Sequence, residues 1–292
     1  SDRDLDGINL VEMPWLLGGS AELRNAIAAG KTGSDSYTRL NALGADAYLV
    51  QSQFLRLQAG ADAILGLPGD RIMITGIPVE PEFALPVNAD AVLRRHGLQV
   101  GRPTFLVVGG ALGLSPATAV VRQLLNLDRD FQAVIVCGRN EEMQDDIVQL
   151  VKSRPGDFRV LGYTAEISEL MAASTMILTK PGGMTTAEAL ARGLPMMILD
   201  PIGGQEERNS DVLLEAGAAV KCTEVTLVAH KLRRLLDDPP RLERMREAAR
   251  KLGRPNAARD IARITLEEPE KRPVIISKLR EKVLRKRIAE GA

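Results

Sequence analysis

The stretch that decides the fold runs from Thr179 to Val220 and reads TKPGGMTTAEALARGLPMMILDPIGGQEERNSDVLLEAGAAV. It begins where a short apolar run, Thr175–Thr179 (TMILT), ends. The chain then turns through Lys180-Pro181-Gly182-Gly183 into a helical pattern over Thr185–Arg192. A second run, Met196–Asp200 (MMILD), follows at once, then a Gly-rich loop, a helical pattern over Asn209–Ala216 and a third run at Ala218–Cys222 (AAVKC). Runs that are apolar without alternation predict strands buried on both faces. Strands alternating with helices predict right-handed crossovers and a parallel sheet.

The same rhythm extends upstream. Pro103–Val108 (PTFLVV), Ala133–Cys137 (AVIVC) and Arg159–Tyr163 (RVLGY) read as strands. Ala117–Leu127, Glu141–Val151 and Glu166–Ala173 read as the helices between them. The fold class is therefore α/β, a doubly wound, Rossmann-like parallel sheet, in which ligands sit at the C-terminal ends of the strands. Further upstream, Ala47–Gln51 and Arg71–Thr75 read as strands around a helix near Phe54–Ala63, one βαβ unit. Gly76-Ile77-Pro78-Val79-Glu80-Pro81, with a further proline at Pro86, reads as a linker. Before Ala45 only Ala21–Ala29 looks helical, and the residues are too few for a second complete Rossmann-like domain. The expected organisation is a partial N-terminal α/β domain with linker over 1–85, a ligand-binding domain over 86–270 and a tail over 271–292.

Composition removes several classes of function. Lys plus Arg balance Asp plus Glu at 38 each, so no global field draws the chain to nucleic acid. Aromatics are 3% of residues, which leaves few platforms for stacking single-stranded bases. Cys137 and Cys222 stand far apart without CxxC spacing, so a disulfide framework or zinc site is not expected and a reducing cytoplasm fits. No apolar run is long enough to span a bilayer, and the opening residues SDRDLDG do not resemble a signal peptide.

Chemistry concentrates in the loops. Gly182 and Gly183 let a ligand approach the backbone, and the helix that follows offers free N–H groups and a positive dipole end to a diphosphate. Glu188 has two readings. Thr185-x-x-Glu188 is a capping box, whose cap is worth about 1 kcal/mol; alternatively the carboxylate accepts hydrogen bonds from two ribose hydroxyls. Gln205, Glu206 and Asn209 suit sugar hydroxyls, or form a polar loop with Asn209 as a helix cap. A second glycine loop, Gly109-Gly110-Ala111-Leu112-Gly113, leaves the first strand of the sheet. It is not the G-x-G-x-x-G fingerprint, and Cys137-Gly138-Arg139-Asn140 stands where a NAD site would place an acid. Both departures argue against a nicotinamide cofactor.

Together, Lys180-Pro181-Gly182-Gly183-x-Thr185-x-x-Glu188, Gly193-x-Pro195, Gln205-Glu206 with Asn209, and Ala216-Gly217-Ala218 resemble the donor half of GT-B glycosyltransferases. The similarity is to the monogalactosyldiacylglycerol synthase and processive diacylglycerol glucosyltransferase group, related to the lipid II N-acetylglucosaminyltransferase, and covers roughly Tyr48 to Leu266. The resemblance implies a UDP-sugar donor and a lipid acceptor such as diacylglycerol. It implies inverting, metal-independent hexosyl transfer with no cofactor. It places Glu188 on the ribose, and Tyr163 and Thr164 beside the uracil. Gly109, Gly110, Gly113, Gly182, Gly183, Thr185 and Thr186 fall near the diphosphate with Lys180; Gln205, Glu206 and Asn209 fall on the sugar or its loop.

Such enzymes carry near the N-terminus a Gly-rich loop with a histidine that acts as general base. His96 follows two arginines in a linker helix and His230 lies on a surface-like helix, so both read as structural and no catalytic residue is assigned. The base is then missing from this chain, or the chain is a fragment. Two further readings stay open: a non-catalytic nucleotide-sugar-binding module that needs a partner chain, and a UDP-sugar 2-epimerase. From Lys271 to Ala292 eight basic residues oppose Glu281 and Glu290, and Ile276, Leu279 and Val283 recur at helical spacing. This tail reads as a basic amphipathic segment on an anionic membrane surface, or as a helix packing back across the first domain. The expected location is cytoplasmic, peripheral on the inner face of the membrane.

Overall fold

The structure is a computed structural model, and it describes residues 8–11, 47–50, 72–109, 117–201 and 205–267. Gly110, Gly113, the 54–63 helix, the loop at 202–204 and the 271–292 tail lie outside the described residues. The chain divides into two compact units, one of residues 77–256 and the other of residues 1–76 together with 257–292.

In the second of these, β1 (Ile8–Val11), β2 (Ala47–Val50) and β3 (Ile72–Ile74) form a parallel sheet in that order. β2 and β3 fall where the sequence predicts them; β1 was not anticipated. Helix α9 (Ala257–Glu267) belongs to the same unit.

Residues 77–256 carry the sheet that the sequence predicts. Its strands are β4 (Thr104–Val108), β5 (Gln132–Val136), β6 (Phe158–Leu161), β7 (Met176–Thr179), β8 (Met196–Leu199) and β9 (Ala219–Cys222). All pair in parallel in the order β6-β5-β4-β7-β8-β9, a doubly wound sheet whose connections reverse between β4 and β7.

The helices of this unit are α1 (Ala89–Arg95), α2 (Ala117–Leu125), α3 (Glu141–Leu150), α4 (Ile167–Ala173), α5 (Gly183–Ala191), α6 (Gln205–Glu215), α7 (Val228–Leu236) and α8 (Pro239–Leu252). Alternate strand residues feed two separate cores, which is why the strands lack polar alternation. Phe105, Val107, Ile135, Leu178 and Met197 pack with Val120 and Leu124 of α2, Ile147 of α3 and Leu232 of α7. Leu106, Val134, Ile177, Met196 and Ile198 pack with Leu170 of α4, Ala189 and Leu190 of α5 and Leu213 of α6. Each fully buried side chain of this size stabilises the fold by about 1.5–3 kcal/mol.

Two glycines of the motif end helices. After α5, Gly193 sits at φ 62°, its N–H bonded to Leu190 O and that of Leu194 to Ala189 O. After α6, Gly217 sits at φ 74°, with matching bonds from Gly217 to Leu214 O and from Ala218 to Leu213 O. Both are Schellman terminations, in which only glycine takes the left-handed position without strain. They stop each helix so that β8 and β9 re-enter the sheet.

Candidate functional site

The site lies where the connections reverse. β4 and β7 are neighbours, and the hydroxyl of Thr179 at the end of β7 donates to Val108 O at 3.3 Å, tying the two strand ends together. The chain leaves β4 at Gly109 toward α2 on one face and leaves β7 through Lys180-Pro181-Gly182 into α5 on the other. Open α/β sheets bind ligands in the crevice that such a divergence leaves.

Helix α5 is built to present backbone donors. Gly182 is its N-cap, with φ −63° and ψ 147°, and no side chain caps it. Its first-turn N–H groups therefore keep their hydrogen-bonding capacity. This overturns the capping-box reading of Thr185 and Glu188: the helix begins at Gly183, so Thr185 is already inside it and Glu188 lies in its second turn. Lys180 is half-buried and makes no ion pair among the described residues. Thr186 is 3% exposed, and its hydroxyl has no partner among the described residues.

Glu188 is half-buried, with no cation in ion-pair reach among the described residues. Burial, then the Glu82 and Glu80 carboxylates, push its carboxyl up to about 7. The group is poised between protonation states near neutral pH, as ligand-binding carboxyls often are.

Asn209 is not a helix cap. Helix α6 starts at Gln205, which places Asn209 within it, 6% exposed, with Nδ2 donating to Pro181 O at 3.0 Å. Glu206 lies on the first turn of α6, its Oε1 3.9 Å from where a Cβ on Gly182 would stand. The β7–α5 loop and the start of α6 thus form one wall.

On the far side of the crevice, Gly109 donates its N–H to Val136 O at 3.1 Å. A Cβ there would meet Met143 Cε at 2.9 Å, the far end of a flexible side chain that can move aside, so packing alone does not demand glycine. Tyr163 follows β6 and is 73% exposed, with the Arg139 guanidinium 5.5 Å from its ring centroid. Thr164 turns the backbone, its hydroxyl accepting from Glu166 N at 3.0 Å. Asn140 caps α3 by accepting from Met143 N at 2.9 Å. His96 caps the end of α1, with Nε2 3.0 Å from Glu166 Oε2, while His230 is exposed on α7.

The sequence reading missed Arg139 as the partner of Tyr163 and missed the acids beside Glu188. Glu80 and Glu82 come from the linker, remote in sequence, and only a structure brings them to α5.

The profile of the family described as "Glycosyl transferases group 1" matches residues 95–252, more than half of the chain. The chain belongs to that family. It is 34% identical over 209 residues to a processive diacylglycerol beta-glucosyltransferase of Bacillus thuringiensis, covering 72% of this chain and 54% of that protein. The chain thus spans about half the length of the relatives it matches.

Solved structures agree in fold. Acinetobacter baumannii MurG superposes with TM-score 0.51 at 17% identity, covering 80% of this chain and 77% of that one. A UDP-N-acetylglucosamine 2-epimerase superposes with TM-score 0.55 at 19% identity, covering 78% and 60%. Residues 77–256 therefore have the doubly wound fold expected from the motif block, one that MurG and the epimerase share. Among the described residues no helix is long and apolar enough to cross a membrane.

Proposed function

We propose that residues 77–256 are the UDP-sugar-binding half of an inverting, metal-independent glycosyltransferase that delivers a hexose to a lipid hydroxyl such as that of diacylglycerol. The observation that carries this reading is Glu188. It stands in the second turn of the uncapped helix at the sheet's reversal point, with no cation or helix cap among the described residues using its carboxylate. An ionised carboxylate there accepts from both ribose hydroxyls.

The resemblance of the motif block suggests the other roles. Tyr163 and Thr164 flank the uracil. Gly109, Gly110 and Gly113 let the diphosphate approach the backbone, while Gly182, Gly183, Thr185 and Thr186 bring backbone and hydroxyl donors to it. Gln205, Glu206 and Asn209 hold the sugar or the loop that contacts it.

In the transfer, the acceptor oxygen attacks the anomeric carbon as the bond to the diphosphate oxygen breaks, and the acceptor proton passes to a base on the acceptor side. Charge then collects on the leaving UDP, where the α5 amides and the Lys180 ammonium stabilise it without a metal ion. The similarity to a diacylglycerol glucosyltransferase supports a lipid acceptor, and the basic 271–292 tail suits an anionic, cytoplasmic membrane face.

Calorimetric titration with UDP tests the reading. Saturable binding that weakens at least about tenfold, or 1.4 kcal/mol, in Glu188→Ala is expected. A folded chain that binds no UDP would overturn it. Epimerisation is separated by incubation with UDP-N-acetylglucosamine in deuterated water, where only an epimerase exchanges the proton at C2.

A further inference from the structure

Arg192 closes α5 one helical turn after Glu188, its backbone N–H donating to Glu188 O at 3.1 Å. A carboxylate followed four residues later by a cation is the favourable order for an ion pair on a helix surface. Here the pair is not made. The guanidinium instead lies over the buried ring of Phe83, 5.7 Å from its centroid. It donates to Leu85 O at 2.6 Å, to Glu82 O at 2.7 Å and to the Ser168 hydroxyl at 2.5 and 3.2 Å. The first three contacts lie in the 3₁₀ turn Pro81–Ala84 and the residue after it; the last belongs to α4. A planar fork can satisfy this set, and a lysine cannot.

We propose that Arg192 is a positioning residue of the donor site: it grips the 81–85 turn, holds Glu80 and Glu82 against α5, and so keeps Glu188 without a counter-charge until paired hydroxyls arrive. The inference rests on Glu188 being the ribose ligand.

The surroundings leave few other sources of charge. Helix α8 packs along α5, but Glu243 already faces Arg250 at 3.3 Å and Arg246 at 3.8 Å. From α4, Glu166 and Glu169 are engaged by Arg95. From α6, Glu206 approaches the opposite end of α5, at Gly182. The acids that act on Glu188 are those of the gripped segment, Glu82 and Glu80.

The test is UDP affinity between about pH 5.5 and 8.5 for the whole chain, with Glu188→Gln to isolate the step that belongs to this carboxyl, because the terminal phosphate of UDP titrates in the same range. In the wild type, affinity should fall about tenfold as pH drops through 7. In Arg192→Lys the midpoint should move about one unit or more toward acid, since the turn is released and a lysine there can pair with Glu188. The double variant Glu80→Gln/Glu82→Gln leaves both gripped carbonyls in place and should move the midpoint the same way; it also keeps the test alive if Arg192→Lys does not fold.

A folded Arg192→Lys that binds more weakly at every pH with its midpoint unmoved would reduce Arg192 to a structural tie and overturn the proposal. So would an unmoved midpoint in the double variant. A wild type with no Glu188-dependent step would overturn the ribose reading itself, and this inference with it, an outcome distinct from the other two.

Discussion

The side-chain amide of Asn209 donates to the carbonyl of Pro181 at 3.0 Å, joining two segments 28 residues apart in sequence. The bond is buried, so removing it strands a carbonyl in the low-dielectric interior rather than exposing it to water. Leaving such a group unsatisfied costs about 1–3 kcal/mol. Asn209→Leu should therefore lower stability to urea by that amount, and it should also weaken UDP binding because the Lys180–Gly182 turn loses its tether. Asn209→Asp keeps the shape but cannot donate, so it should behave like the leucine variant. If the aspartate variant is as stable and as tight as the wild type, the amide does not hold the loop.

Glu188 should make the protein less stable where it makes binding tighter. Its folded carboxyl is raised from the ordinary 4.5 to about 7, chiefly by burial and then by Glu82 and Glu80. The native state thus holds this proton more tightly than the unfolded chain does. The stabilisation is fully present below about 4.5 and is lost as pH rises through about 7. Glu188→Gln abolishes the titration. At pH 8 the variant should resist urea better by about 1–2 kcal/mol, discounted for the water that reaches the group, and the gain should vanish toward pH 5. A variant less stable at pH 8, or a gap independent of pH, would show that the carboxyl is not destabilised by its surroundings.

The strands and the reversal of the sheet were legible because they rest on local composition. MILT, MMIL and TFLVV are apolar on both faces, and no other arrangement buries them. Two of the helix starts were not. Thr185 and Asn209 carry the side chains that usually cap helices, yet α5 starts behind an uncapped glycine and α6 starts four residues before Asn209. At Asn209 a contact across the fold outweighed the local preference: its amide serves Pro181 instead of its own helix. The grip of Arg192 on Glu82 spans 110 residues and leaves no periodic trace in the sequence. Gly253 is similar: a Cβ there would stand 2.2 Å from Leu190 O, a close approach of α8 to α5 that no pattern announces. Strand β1 was missed because four residues, INLV, become a strand only beside β2.

Tyr163 offers the sharpest separation of folding from binding. Its ring is 73% exposed at the end of β6, so it contributes little to the core, and its one aromatic-face partner among the described residues is Arg139 at 5.5 Å. Tyr163→Ala should change stability by no more than about 0.5 kcal/mol. If the ring is the platform for uracil, the same change should remove about 1–3 kcal/mol of UDP affinity, the usual worth of a base stacked on an aromatic side chain. Tyr163→Phe should keep nearly all of it, since the face and not the hydroxyl does the stacking. Inorganic pyrophosphate, which has no base, should bind Tyr163→Ala as it binds the wild type. Equal losses for UDP and pyrophosphate would mean that the ring acts on the phosphate end of the crevice and that the base lies elsewhere.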